Sequence, residues 1–145
     1  MINTDYKYSD ITQRIIKCCY NVHNIIGCGF QEVIYQRALA IELAEEGLDF
    51  LRELEMPLYY KDNHIGTWRV DFLVEEKVLL ELKATVELND LHLAQGINYL
   101  EAFKLEVGLL INFGTPKLGI RRLMKNEEQL KKGNQIGYKE YRDNR

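Results

Sequence analysis

Val70-Asp71-Phe72-Leu73-Val74-Glu75-Glu76-Lys77-Val78-Leu79-Leu80-Glu81-Leu82-Lys83-Ala84 is the stretch whose reading decides the architecture of this 145-residue chain. Two apolar runs flank a short polar turn at 75–77, the pattern of a β-hairpin. Each run carries charge in its interior, which is costly in a sheet unless the charge is paired or metal-bound. If 75–77 is the loop, Val74 faces Val78 and the same register sets Asp71 opposite Glu81. The two carboxylates then point to one face, and the period-2 rule adds Lys83 to it. Like charges so opposed destabilise an antiparallel pair unless something neutralises them, and a divalent cation would do so.

Reading outward, the hairpin is the second half of a three-stranded meander. An extended segment from about Phe50 to Tyr60 and a polar turn Lys61-Asp62-Asn63-His64 lead into a strand at Ile65–Val74, followed by a strand at 78–84. Upstream, Ile11, Ile15, Cys18, Cys19, Val22 and Ile26 recur at three- and four-residue steps, predicting an amphipathic helix over 9–26 with Ser9 as N-cap. Gly27-Cys28-Gly29 then interrupts. It follows a helix rather than a strand and lacks the full glycine spacing of a phosphate loop, so it reads as an interhelical turn. A second helix is expected over 31–46 with Gly47 ending it. Downstream come a helix over 90–103, a buried strand over 107–113 and a short strand over 119–123. The order ααβββαββ describes an α/β fold, a mixed β-sheet flanked by helices. Residues 1–145 are expected to form a single domain with a loosely ordered tail from about 133.

Composition narrows the function classes. Net charge is −3, against a protein that coats nucleic acid indiscriminately, yet residues 1–114 carry −8 and 115–145 carry +5. Lys117, Arg121, Arg122 and Lys125 in the basic flank could track a phosphate backbone or form a solvated strand edge. Three cysteines without CxxC spacing indicate neither a disulfide framework nor a thiolate zinc site. Neither an apolar run of membrane-spanning length nor a secretory leader pattern is found, so no membrane association and a cytoplasmic location are expected.

Two acids and an amine are the groups that metal-assisted phosphodiester hydrolysis uses: carboxylates hold Mg²⁺ or Mn²⁺, and a lysine positions water or phosphate. On spacing alone, an ion pair of Lys83 with Asp71 or Glu81, in a sheet without chemistry, is the simpler account. Further motifs add weight. Gly29-Phe30-Gln31-Glu32-Val33-Ile34-Tyr35 resembles the signature of the GxxExxY proteins of the PD-(D/E)XK nuclease superfamily. Asp71 with Glu81-Leu82-Lys83 resembles that superfamily's central motif, and Gln95-Gly96-Ile97-Asn98-Tyr99 resembles the QxxxY element of its helicase-associated exonuclease branch. Gly108–Gly114 and Val22-His23-Asn24 also look familial. Val70 stands where proline often precedes the aspartate, and no functional group is lost by it.

The resemblance implies a restriction-endonuclease-like core and a Mg²⁺- or Mn²⁺-dependent nuclease, with DNA preferred to RNA as the expected substrate. Asp71, Glu81, the Leu82 carbonyl and Glu32 would ligate the metal, Lys83 would act on water or the transition state, and Gln95 and Tyr99 would orient the site. On position alone, Glu32 reads instead as a first-turn acid complementing the helix dipole. Gln95 and Tyr99 likewise fit a polar helix edge with a core tyrosine, on the same face as His92. His23 reads as a hydrogen-bonded structural residue. The alternative function is a catalytically silent module of the same fold that binds nucleic acid or a partner protein; a homo-oligomer is compatible with either.

Overall fold

The apolar spacing of the N-terminal third yields two packed helices, α1 (Ser9–Ile26) and α2 (Glu32–Glu45). The computed structural model describes residues 7–125 and 137–138. After the helices come β1 (Phe50–Tyr60), β2 (Asn63–Val74), β3 (Val78–Lys83), α3 (Asp90–Ala102), β4 (Val107–Asn112), β5 (Gly119–Met124) and a two-residue strand β6 (Gly137–Tyr138). The expected order is present, with β6 added inside the segment expected to be a loose tail. Residues 126–136 and 139–145 of that segment lie outside the described residues.

The sheet runs β5-β4-β3-β2-β1-β6. Among the described strands only β3 and β4 pair in parallel, which requires a crossover, and α3 supplies it. Because β3 and β4 are central and covered on both faces, their side chains are buried almost without alternation. Ile15, Cys18, Leu39 and Leu43 of the first two helices pack on Phe72, Val74, Leu80 and Leu82 on one face. On the other face Leu100 and Ala102 of α3 pack on Leu79, Leu110 and Leu123. No helix among the described residues is long and apolar enough to cross a membrane.

Several local signals resolve differently from the sequence reading. The residue before α1 is Tyr8, in the left-handed region at φ 59°, and Ser9 is already helical and buried without a side-chain cap. The β1–β2 loop is Lys61-Asp62 alone, with φ of 47° and 65°. Two successive left-handed residues make the tight hairpin turn whose twist matches the strands, so Asn63 and His64 belong to β2. Gly47 ends α2 with φ 80°, as its position suggests. Asn89 caps α3 by accepting from the His92 amide, and the His92 ring takes the Asn89 amide in return.

The glycine turn at 27–29 is pinned from α2. Tyr35, fully buried, stacks on Phe113 at 4.6 Å, donates to the Gly27 carbonyl (2.6 Å) and accepts from the Phe30 amide (3.3 Å). The tyrosine of the quoted signature is thus a structural residue that closes the interhelical turn. His23 also has a structural partner, the Thr115 carbonyl at 2.9 Å from Nε2. Cys18 and Cys19 are buried and Cys28 is exposed, all as free thiols.

Candidate functional site

The β2–β3 ladder runs from Val74↔Val78 to Phe72↔Leu80 in the register expected from the turn. One step further, side chains replace the backbone ladder. The Asp71 amide donates to Glu81 Oε1 (2.9 Å), and the Leu82 amide donates to Asp71 Oδ2 (2.8 Å). Each acid therefore accepts an amide of the opposite strand, which satisfies two donors that a splayed ladder would leave unpaired.

The juxtaposition arises differently from strict alternation. Phe72 and Val74 pack with α1 and α2, whereas Val70 packs in the cluster beneath α3. Period 2 would put Val70 with Phe72, so sidedness slips at Asp71. Facing it in β1, Glu53 has φ 52°, and the β1–β2 pairing passes from Arg52↔Phe72 to Leu54↔Val70 without it. Asp71 consequently enters the gap between the strands instead of simply sharing a face with Glu81.

Glu81 is only 6 % exposed. Burial, and then the Asp71 charge, push its carboxyl well above the usual carboxylate range, while the Asp71 amide and the Lys83 ammonium pull it back. Lys83 shares the face of Glu81, since the two pair with Asn112 and Leu110 of β4. Among the described residues Lys83 is in no ion pair, so the expected alternative of a Lys83–carboxylate bridge is not the arrangement found.

The strand end carrying Lys83 is tightly held. The Phe113 amide donates to the Lys83 carbonyl at 2.8 Å. Buried Asn112 accepts from the amides of Thr85 and Gly114, both at 3.0 Å, and donates to the Thr85 carbonyl at 3.1 Å. A Cβ on Gly114 would run into the Thr85 backbone, so only glycine lets the two segments approach this closely.

The helices contribute unequally. Tyr99 of α3 is half-buried with its ring edge-on to Trp68 at 4.8 Å, and its hydroxyl is pushed up to about 12 by burial and by the charges of Glu81 and Asp71. The tyrosine therefore feels both acids. Gln95, one turn earlier, is exposed, and its side chain makes no hydrogen bond among the described residues. His92 is occupied in the α3 cap instead of joining them.

Glu32, the first residue of α2, is exposed, and among the described residues no group of three His, Cys, Asp or Glu side chains could hold a metal ion. The α2 residue that touches the site is Gln36, one turn further on, whose Nε2 donates to Asp71 Oδ1 at 2.7 Å. Sequence reasoning missed it. The available signal was a polar residue on the inward stripe of α2, four residues after Glu32.

The basic flank divides. Lys117 and Arg121 are exposed beside a cleft of about 570 Å³ shared with Tyr20, Val86 and Leu88. Arg122 points elsewhere, donating to the Lys7 carbonyl and reaching Thr12 Oγ1 at 3.5 Å. Glu106, held below the usual carboxylate range first by its hydrogen bond to Lys7, also feels the charge of Lys125. Consecutive strand residues face opposite ways, so the four cations do not form one stripe.

The donors present suit a hard divalent cation. Two carboxyls meet, one of them deeply buried, and each retains oxygen lone pairs after accepting its amide. Mg²⁺ in particular is commonly held by one or two carboxylates with the remaining positions taken by water and phosphate, so a third carboxylate is not required.

No curated protein and no solved structure is significantly similar to the chain. The profile of one family does match, over residues 9–123, spanning α1 to the penultimate residue of β5 and so both acids, Lys83 and α3. The chain belongs to the PD-(D/E)XK nuclease superfamily.

Proposed function

We propose that this protein is a divalent-cation-dependent nuclease that hydrolyses phosphodiester bonds, with DNA as substrate in preference to RNA. One observation carries the reading: Glu81 is buried against Asp71 with no cationic side chain in ion-pair reach among the described residues. The amide bonds that each acid accepts do not offset the repulsion of the two carboxyls, and a bound cation would relieve it.

Asp71 and Glu81 would hold Mg²⁺ or Mn²⁺. The Leu82 carbonyl is a third candidate. Within a strand the N–H and C=O of one residue point the same way; the Leu82 amide is on Asp71, while the Lys83 carbonyl serves β4. When bound, the cation supplies an activated water and neutralises charge on the reacting phosphate. Lys83, in no ion pair among the described residues and on the Glu81 face, holds the phosphate or the attacking water. Tyr99, whose hydroxyl is held neutral by burial and then by the charges of Glu81 and Asp71, would offer a hydrogen-bond donor to the same site. Glu32 and Gln95, both exposed, would act on substrate or on metal-bound water and not through the acids directly. Lys117 and Arg121 offer two further cations to the nucleic-acid backbone. The Gly29–Tyr35 signature supports assignment to the GxxExxY branch.

That the described residues bring only two metal-binding side chains together is the observation behind a second reading, a silent module that keeps the fold and binds nucleic acid or a partner protein. Cleavage of DNA in Mn²⁺, measured for the wild type, Asp71→Ala and Lys83→Ala, separates the two. The nuclease reading expects activity only in the wild type, and activity surviving both substitutions removes the proposed site. Wild-type inactivity with no heat of Mn²⁺ binding establishes the module.

A further inference from the structure

Gln36 is a polar side chain in an apolar stripe, only 7 % exposed. A buried amide costs free energy unless both its ends are bonded, and both are. Its Nε2 donates to Asp71 Oδ1 at 2.7 Å, and its Oε1 accepts from Arg52 Nη2 at 3.0 Å. A primary amide could in principle sit either way round. Arginine has donors only, so Arg52 fixes the oxygen toward itself and the NH₂ toward the acid. Arg52 is placed for this by its pairing with Phe72, the neighbour of Asp71, just before the left-handed residue Glu53.

The Asp71 carboxylate is thereby held from two sides. Gln36 of α2 holds Oδ1, and the Leu82 amide of β3 holds Oδ2. These bonds fix the plane of the carboxylate and the direction of its remaining lone pairs. We propose that Gln36, with its polarity imposed by Arg52, is a positioning residue that aims Asp71 at the cation, and that this relay supplies what α2 contributes to the site. The inference rests on the cation-binding reading above.

The test is Mn²⁺ titration calorimetry on the wild type, Gln36→Met, Gln36→Leu, Arg52→Ala and the Gln36→Met/Arg52→Ala double variant, with Asp71→Asn as control. Methionine is close to glutamine in volume and keeps the stripe packed; far-UV circular dichroism checks each fold. Loss of an outer partner of a metal ligand typically weakens metal affinity ~10–100-fold, and that is expected for either Gln36 variant. Arg52→Ala should weaken binding when Gln36 is present and have no further effect in the Gln36→Met background, because its influence passes through the amide. In EDTA, urea unfolding should give the same non-additive pattern for stability, a readout independent of metal. Folded Gln36→Met with wild-type affinity beside an Asp71→Asn variant that binds nothing would overturn the relay and leave the cation site standing. Strictly additive effects of Arg52→Ala and Gln36→Met overturn the role of Arg52. Mn²⁺ binding unchanged in Asp71→Asn removes the cation site and this role with it.

Discussion

Replacing Glu81 by glutamine should make the metal-free protein more stable at neutral pH. Glutamine keeps an oxygen to accept the Asp71 amide but cannot ionise. In the wild type, burial and the Asp71 charge raise the folded carboxyl above the ordinary 4.5. Between that value and the raised one, the folded state holds a proton that the unfolded chain has released. Stability conferred by the raised group is therefore full below the unfolded value and is lost as pH rises through the folded one. One proton of difference gives a slope of about 1.4 kcal/mol per pH unit. Glu81 is nine-tenths buried, so little of this is screened by solvent. Urea unfolding in EDTA at a series of pH values should give a wild-type curve that falls relative to Glu81→Gln across this window and then runs parallel to it. Saturating Mn²⁺ should flatten the wild-type curve and leave the variant unchanged. Parallel curves throughout, in EDTA, would refute the claim that Glu81 is held protonated by its surroundings.

The same cation linkage fixes a second expectation: Mn²⁺ at 100 times its Kd should stabilise the wild type by ~2.7 kcal/mol and Asp71→Ala not at all, read by thermal unfolding; equal shifts would mean binding elsewhere. Tyr35→Phe removes the hydroxyl that joins the Gly27 carbonyl and the Phe30 amide, and should cost about 1–2 kcal/mol in urea unfolding. A change within error would show that the 27–30 turn holds without it. Gly114→Ala should cost about 1–3 kcal/mol because its methyl meets the Thr85 backbone, and should lower cleavage more than Asn112-distant surface changes do, since the displaced strand end carries Lys83. Wild-type stability and rate in Gly114→Ala would contradict the close approach.

The architecture was readable where burial and periodicity agree. Val78–Lys83 and Val107–Asn112 are covered on both faces and appear as continuous apolar runs, and a three-residue turn leaves one register for Val74 and Val78. The start of β2 was harder, because Asn63, His64 and Ile65 are all exposed there and polar Asn63 and His64 look like loop residues. The site was readable as a set of residue types and incompletely as geometry. Asp71, Glu81 and Lys83 announce themselves as charges within apolar strands. The slip of sidedness at Asp71 depends on a left-handed Glu53 in another strand, which no local pattern in either strand reveals. Glu32 and Gln36 lie one turn apart on α2, and only the tilt of that helix on the sheet decides that the amide, not the acid, reaches Asp71.

Because Asp71 and Glu81 each clasp an amide of the opposite strand, they are fasteners of the seam between β2 and β3 as well as candidate reagents. Removing either one disturbs adhesion along that seam, so an inert protein made this way has lost more than chemistry. Lys83 takes no part in the fastening through its side chain. Lys83→Met is accordingly the substitution of choice for capturing an uncleaved strand on an otherwise intact surface.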